Sequence, residues 1–369
     1  MSGFKYSSAL TGALLAVCVP FSSGQAADNA YYLFGQYRYF GPKLDIDFVP
    51  DGIEDNQTSG KRFYGTLAKH RYTFLKNTGR TYKEAMSFGG WDMPYRLMSG
   101  FEYDFHQNKT SSGSYGRNDK SGSFFLLGDK AIDGYSLFMG GGVVFNRYDS
   151  GYDNALSSKH ENYMAALHAV YNNLDWKIRA RSLLMLGYGN TDNKRLADIS
   201  GNVDLFKAGY HSWYYGWENT LSKTFKFNNF YVQSAFELNA YGVRQDKIEE
   251  DKAGGNALSA EAKNSFRLDG LAGLYAGYTA KDKYGNRYNI KAGPDLSYLF
   301  SNPYDAFYLS SESGDDIYIK KSKEQKDYVT WKIYFNGYFQ NGMGVYSDFR
   351  YYKKDKDSIA FALGLNYRF

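Results

Sequence analysis

The residues of this chain best suited to chemistry are its histidines, of which there are five. His106 follows Glu102 and Asp104 at steps of two residues, so all three side chains share one face if the segment is a β-strand. A histidine next to carboxylates could act as a general acid or base in hydrolysis, and His168 lies in a second segment of the same kind. We interpret both histidines as hydrogen-bonding residues of a protein wall, and we predict that the chain is not an enzyme.

Other signatures of catalysis or cofactor binding are missing from the sequence. It contains no Gly-x-Ser-x-Gly nucleophile elbow, no phosphate-binding glycine loop and no cluster rich in His or Cys. Its single cysteine, Cys18, lies in an apolar run near the start. The triplet Gly140-Gly141-Gly142 could let a ligand approach the backbone, but curvature and close packing in a strand explain it first. We therefore expect neither a metal nor a cofactor.

The elements that must position these residues are β-strands. At the end of the chain, Ile359, Phe361, Leu363, Leu365, Tyr367 and Phe369 alternate with Ser358, Ala360, Ala362, Gly364, Asn366 and Arg368. Side chains alternate across a strand, so one face of this segment is apolar and the other is small or polar. This length and pattern suit a tilted span of a membrane barrel whose apolar face contacts lipid.

The same alternation recurs along the chain at intervals too short for intervening helices. It predicts an all-β fold, a transmembrane antiparallel up-and-down β-barrel of about twelve strands, with fourteen as the alternative. We place the strands near 95–106, 121–131, 134–147, 160–172, 175–189, 210–225, 228–243, 264–279, 286–300, 327–340, 343–353 and 358–369. Long polar loops are expected at 190–209, 245–264 and 301–326.

Composition supports a barrel over a soluble core. Aromatic residues make up 19% of the chain, with 37 Tyr and 27 Phe, while the mean hydropathy is −0.56. Glycine is abundant at 39 residues and proline is scarce at 6. Aromatic girdles, glycine in the wall and polar residues in the lumen are typical of outer-membrane barrels. The net charge of +5 is small for this length and gives no reason to expect nucleic acid as a partner.

Charged residues occupy one parity of the predicted strands. A charge on the lipid face at mid-membrane costs about 2–4 kcal/mol, so the charged parity is assigned to the lumen. The predicted lumen-lining residues are Arg96, Glu102, Asp104, Arg179, Arg181, Glu218, Glu237, Arg267, Asp269, Arg287, Lys291, Asp295, Lys332, Asp348 and Arg350. Both signs are present in near balance, which predicts a cross-strand network rather than a strongly ion-selective filter.

The start of the chain has the pattern of a cleaved signal peptide. Lys5 precedes an apolar run from Ala9 to Phe21 that is too short to span a bilayer, and small residues follow. We place the cut after Ala26 or Ala27. The predicted organisation is a signal peptide at 1–27, an N-terminal extension at 28–94 and the barrel at 95–369.

The N-terminal extension allows two interpretations. Its segments 31–40, 62–75 and 83–91 are aromatic enough to be strands, whereas 41–61 is polar, acidic and rich in turn-forming residues. The extension is either a plug that crosses the pore or a source of two further strands. A helix across Lys69–Ala85 is not expected, because Thr73, Thr78, Gly79 and Thr81 have low helix propensity.

Several motifs resemble the translocator domain of autotransporters. Phe124 to Asp129, followed by Phe138 to Val143, is similar to that family's early hairpin, and the strand pair 162–171 and 176–188 resembles its next repeat. The closing segment, with Tyr367 and Phe369, resembles the C-terminal insertion signal of bacterial outer-membrane proteins. The resemblance covers residues 95–369. It implies a twelve-stranded barrel whose pore is crossed by a helix that links it to an exported passenger.

These observations lead to several expected roles. The first is a pore-forming or structural outer-membrane barrel of the translocator type, with long surface loops and little or no passenger. The alternatives are a small diffusion porin for polar solutes and a surface adhesin. Expected partners are outer-membrane lipid, the barrel-insertion machinery, periplasmic chaperones and ligands on host or environmental surfaces.

Overall fold

The computed structural model describes most of the chain that follows residue 53. The described residues are 54–87, 94–108, 117–133, 136–152, 156–251, 256–301, 307–311, 317–319, 327–353 and 358–368. The predicted signal peptide and the segment 31–40, which was considered for a strand, lie outside these residues, as does Phe369. Every structural statement that follows concerns the described residues.

Sixteen strands are present among these residues, and twelve of them close into an antiparallel barrel. In chain order they are β1 Tyr95–Asn108, β2 Arg117–Asp133, β3 Leu137–Tyr152, β4 Leu156–Asn173, β5 Ile178–Ile199, β6 Asn202–Phe227, β7 Phe230–Gln245, β8 Ile248–Glu249, β9 Leu258–Ala260, β10 Lys263–Lys281, β11 Arg287–Leu299, β12 Phe307–Ser311, β13 Ile317–Ile319, β14 Asp327–Tyr338, β15 Met343–Lys353 and β16 Ser358–Arg368. All except β8, β9, β12 and β13 belong to the barrel, and β1 closes it by pairing with β16. The predicted fold class and strand number are confirmed.

The alternation of side chains separates an outer wall from an inner one, as the sequence pattern predicts. On β16, Ile359, Phe361 and Leu363 are exposed on the outside, whereas Ala360 and Ala362 are buried on the inside. Leu184 and Leu186 are likewise exposed on β5. A continuous apolar outer face can lie in lipid, while the closed ladder pairs the backbone groups that lipid cannot satisfy.

The two ends of the barrel differ in their connections. We call one the short-turn end, where tight joints connect β4 to β5, β6 to β7, β10 to β11 and β14 to β15. The opposite loop end carries the β7–β10 and β11–β14 connections. At that end β5 and β6 extend as one paired hairpin up to Ile199 and Asn202. The predicted loop at 190–209 was therefore wrong for most of its length, because its residues continue the ladder.

The other two long connections at the loop end also contain strands. β8, β9, β12 and β13 form a separate four-stranded sheet in the order β13-β12-β9-β8. This sheet buries Ile248, Leu258, Leu309 and Ile317 in a second hydrophobic cluster. Strands of two to five residues have too few alternating positions to be detected as a period, so this sheet could not be predicted from the sequence.

Within the described residues 54–87, two helices precede the barrel: α1 Asn56–His70 and α2 Thr73–Ser87. The expectation that Lys69–Ala85 would not be helical was wrong, and so was the strand considered at 62–75. The strand considered at 83–91 was wrong for residues 83–87, which are helical, and its residues 88–91 lie outside the described residues. Asp55 caps α1 by accepting a hydrogen bond from the backbone N–H of Thr58 at 2.9 Å, and this bond lowers the pKa of Asp55.

Tertiary contacts explain why α2 forms despite its poor propensity. Thr81 is fully buried and donates its hydroxyl to the Asn77 carbonyl at 3.0 Å and to Glu102 at 2.8 Å. Gly79 lies where a Cβ atom would be 2.1 Å from Glu218 Oε1, so glycine allows the helix to approach the wall closely. Residues that weaken an isolated helix therefore fit this one to its surroundings.

The main hydrophobic core lies inside the barrel and is asymmetric. Phe74, Leu75, Tyr82 and Met86 of α2 pack with buried wall residues, most of them on β1 to β7. The helix contacts β1, β2, β3 and β6. It consequently lies against one side of the lumen instead of along its axis.

We predict that the glycines of β3 are required for tight curvature of the wall. A Cβ atom on Gly140 would be 2.0 Å from the carbonyl oxygen of Gly128 on the adjacent strand. Gly140→Ala is expected to lower the free energy of unfolding in detergent by about 1–3 kcal/mol, the usual cost of overpacking. Urea titration followed by tryptophan fluorescence measures this change.

The control is Gly128→Ala, whose added Cβ atom would have its nearest neighbours at 3.5 Å. It should be nearly neutral. Equal stability of Gly140→Ala and the wild type would contradict the curvature argument.

The helix in the barrel lumen as the candidate functional site

Three basic residues follow one side of α2. Lys76, Arg80 and Lys83 are spaced by four and three residues, which places them on the same helical face. We call them the basic stripe. Each of them pairs with carboxylates on the barrel wall, and the described part of α2 therefore joins the barrel through charge as well as through its apolar face.

Arg80 occupies the centre of this arrangement. Its guanidinium pairs with Glu102 and with Asp104, both on β1. Glu102 also accepts hydrogen bonds from Thr81 and from Tyr346, and only 1% of its surface is exposed. Arg350 pairs with Asp104 at 2.7 Å. A charge buried this deeply is tolerated when it is paired and hydrogen-bonded, which is the case here.

The other two residues of the basic stripe pair with the opposite wall. Lys83 Nζ lies 2.7 Å from Glu218 and 2.9 Å from Glu237. Lys76 Nζ lies 2.9 Å from Asp269, which Arg267 also contacts at 2.6 Å. The basic stripe thus connects α2 to β6, β7 and β10, in addition to the contacts of Arg80 with β1.

The C-terminal turn of α2 is held by wall arginines. Arg96 donates to the Met86 carbonyl at 3.4 Å, and Arg181 donates to the Lys83 carbonyl at 3.5 Å. The Met86 carbonyl is one of the last four of the helix, which have no partner within it, and the negative end of the helix dipole favours cations near both contacts. Both arginines therefore stabilise the end of α2 near the short-turn end of the barrel.

A buried polar chain supports Arg96. Its guanidinium pairs with Asp129, with Nε to Oδ1 at 2.7 Å, and His168 Nε2 lies 3.0 Å from the same carboxylate. Tyr82 of α2 is hydrogen-bonded to His168 Nδ1 at 3.1 Å. The expected structural role of His168 agrees with this geometry, since the histidine connects the helix to the wall.

The lumen-lining residues predicted from parity fall into several groups. Glu102, Asp104, Glu218, Glu237 and Asp269 contact the basic stripe, while Arg96 and Arg181 contact the last turn of α2. Arg179, Lys291, Asp295, Lys332, Asp348 and Arg350 line a cavity beside the helix, and Arg267 pairs with Asp269. Arg287 lies exposed at the short-turn end of β11.

Other residues singled out from the sequence have less central positions. Tyr367 is exposed on the outer face of β16. His106 Nδ1 lies 3.7 Å from Asp119 on the neighbouring strand. Three further aromatic residues, Trp213, Tyr215 and Trp217, are exposed on the outside of β6, where an interfacial girdle lies, whereas Tyr214 between them is buried on the inner wall.

The residues that sequence reasoning missed are the basic stripe and Asp129. The spacing of Lys76, Arg80 and Lys83, four and three residues, fits one face of a helix. The low helix propensity of Gly79 and the threonines around it argued against a helix. No described group of three or more His, Cys, Asp or Glu side chains could hold a metal ion. No described helix is long and apolar enough to cross a membrane.

Comparisons with known proteins agree with this architecture. Residues 98–350 match the family model of the autotransporter beta-domain, so the chain belongs to this family. The translocator domain of the autotransporter NalP from Neisseria meningitidis is similar in structure, with a TM-score of 0.63 and 12% identity over 82% of this chain and 99% of that one. The beta domain of the Bordetella autotransporter Brka gives a TM-score of 0.56 and 16% identity over 75% and 100%. No curated protein sequence matches significantly.

Family membership places the chain in the bacterial outer membrane. In such barrels short turns face the periplasm and longer loops face outward, so we expect the short-turn end to be periplasmic and the loop end to be external. The family is a transport and structural fold and not an enzyme family.

We predict that removing the charge of Arg80 weakens the attachment of α2 to the barrel wall. Arg80→Gln leaves Glu102 and Asp104 without the guanidinium that both contact, and breaking a buried pair in this way costs about 3–5 kcal/mol. In planar bilayers the variant should show large conductance steps more often than the wild type, because the helix leaves the lumen more often.

Arg80→Lys keeps the charge and should restore most of the wild-type behaviour. Lys61→Gln, at an exposed position of α1, is the matched control for loss of a positive charge. An Arg80→Gln protein with the conductance of the wild type would show that the pairs do not retain the helix.

Proposed function

We propose that this barrel delivers the polypeptide that precedes Glu54 to the outer side of the outer membrane and is then kept closed by α2. One observation carries the proposal: Glu54, at the start of the described residues 54–87, lies at the loop end of the lumen, and Pro94 lies at the short-turn end. Glu54 accepts a hydrogen bond from Asp198 N–H at 3.0 Å, close to the tip of the β5–β6 hairpin at the loop end. Pro94 accepts one from Ala131 N–H at 2.8 Å, at the short-turn end.

The helices between these two points support delivery followed by closure. α1 packs on β5 and β13, and Phe63 and Tyr64 join the second hydrophobic cluster at the loop end. Arg195 on β5 pairs with Glu250, which also accepts a hydrogen bond from Tyr64 at 2.8 Å. Because α1 is anchored at the loop end and α2 in the lumen, residues 54–87 are suited to stay in the barrel and keep it closed.

A wide diffusion pore is the less favoured alternative. The apolar face of α2 is part of the main hydrophobic core, so the helix is packed like a structural element and does not hang loosely in the lumen. Passage of a bulky polar solute would require this face to leave its contacts, at a cost of about 25 cal/mol for each Å² of apolar surface exposed.

A surface-binding role is a second candidate, and it rests on two exposed tyrosines. Tyr308 on β12 and Tyr318 on β13 are paired across the external sheet, with ring centroids 4.8 Å apart. Aromatic pairs at a loop end offer contact area at low entropic cost. Outer-membrane lipid, the barrel-insertion machinery and periplasmic chaperones remain the other partners that we propose.

The direction of the chain predicts where cysteines can be labelled. In a Cys18→Ser background, Gln57→Cys at the start of α1 should react with a membrane-impermeant maleimide on intact cells. Lys283→Cys, in the turn between β10 and β11, should react only after the outer membrane is permeabilised. Both positions are exposed in the folded protein.

Glu261→Cys, in the connection between β9 and β10, is the positive control for the loop end. Labelling of Glu261→Cys together with protection of Gln57→Cys would argue against external delivery of the N-terminal chain. Labelling of Lys283→Cys on intact cells would show that the barrel has the opposite orientation, with the short-turn end outside.

A further inference from the structure

An elongated cavity remains beside α2. Because the helix lies against β1 to β3 and β6, the space near β7, β10, β11, β14 and β15 is not filled, and the cavity there has a volume of about 460 Å³. Its lining includes Tyr328 and Tyr352 near the loop end of their strands, and Lys226 and Asn289 near the short-turn end. The cavity therefore runs along the barrel from one end to the other.

The lining is polar and carries an excess of positive charge. Of the described residues, nine cationic side chains and five carboxylates line the cavity. Each of these carboxylates is in an ion pair: Glu218 and Glu237 with Lys83, Asp269 with Lys76, Asp295 with Lys332 and Asp348 with Arg350. Three of the nine cations are the residues of the basic stripe. The charges of the wall alone are nearly balanced, and the helix makes the net charge of the lining positive.

The short-turn half of the cavity contains a pair of arginines. Arg179 and Arg181 lie two residues apart on the inner face of β5, opposite Ser222 and Thr220 on β6, and all four residues line the cavity. Arg179 donates to Asn172 at 2.7 Å and Arg181 donates to Thr220 at 3.0 Å, so both side chains are held in position. We call these two residues the arginine pair.

The arginine pair has the chemistry of an oxyanion site. A guanidinium is a planar fork of five N–H donors that fits the oxygens of phosphate or sulfate, and neighbouring hydroxyls add further donors. Lys226 and Lys291 lie farther along the same cavity toward the periplasmic end. An anion that enters from the periplasm would meet these two lysines before it reaches the arginine pair.

We propose that the cavity is a narrow aqueous path for small inorganic anions, with the arginine pair as its binding site. The path exists while α2 occupies the lumen. The inference therefore rests on closure of the barrel by α2, as proposed above, but not on delivery of the N-terminal chain.

The test measures ion selectivity of the full-length protein in planar bilayers. With a KCl gradient, the reversal potential of the small basal current should indicate a preference for chloride over potassium. The double variant Arg179→Gln/Arg181→Gln should lower the chloride-to-potassium permeability ratio by roughly three- to tenfold, since a unit charge about 7 Å from the ion changes local ion concentration by roughly threefold in a water-like medium. Lys283→Gln, an exposed residue outside the cavity, should leave the ratio unchanged.

Inorganic phosphate on the periplasmic side is the second probe. Phosphate should reduce the chloride current of the wild type in a concentration-dependent way, and this block should be lost in the double variant. Folding of each variant is checked by its heat-modifiable migration on gels. If the double variant does not fold, Lys226→Gln at the periplasmic mouth should still lower the permeability ratio.

The outcomes separate this inference from the proposed function. A small current without anion preference, or one unaffected by the substitutions, overturns the anion path alone. A silent bilayer also overturns the path but leaves closure by α2 standing. A large unselective current from the wild type would show that α2 does not close the lumen, and both proposals would fail.

Discussion

The structure depends on the pairing of buried charges between α2 and the barrel wall. Glu102, Asp104 and Glu218 are almost completely buried, and each contacts a cation of the basic stripe. A carboxylate removed from water without a partner is costly, and removing one partner of a buried pair costs about 3–5 kcal/mol. The wall therefore needs the helix to compensate these carboxylates, and the helix needs the wall in return.

This mutual dependence explains the composition of α2. An independently stable helix would avoid Gly79 and the threonines around it, yet Thr78 and Thr81 are fully buried and Gly79 faces Glu218. The apolar face packs mainly on β1 to β7, and the basic stripe pairs with carboxylates on β1, β6, β7 and β10. Arginines of the wall donate to carbonyls near the end of the helix. The helix is thus specified by its surroundings more than by its own propensity.

The barrel could be predicted from the sequence because its signal is local. Each strand carries its own two-residue alternation, so parity separates Ile359, Phe361 and Leu363 from Ala360 and Ala362 without knowledge of other strands. The sequence alone could not establish α2, because contacts that stabilise it come from residues far along the chain, such as Glu237 with Lys83 and Asp269 with Lys76. The small external sheet escaped prediction because its strands are too short to show a period.

The candidate site, like the fold, could be predicted from the sequence only in part. The parity of the strands placed individual charges in the lumen. It could not show which of them contact a helix, since that depends on the position of α2 inside the barrel. The basic stripe also determines the electrostatic field of the space it leaves open. Lys76, Arg80 and Lys83 neutralise wall carboxylates that would otherwise attract cations, so retention of the helix and selectivity of the cavity are linked. A substitution in the basic stripe therefore alters both the retention of α2 and the ion selectivity of the cavity. A substitution in the arginine pair changes mainly the electrostatic field in the short-turn half of the cavity. Arg181 contributes to both properties, because it also donates to the Lys83 carbonyl of α2.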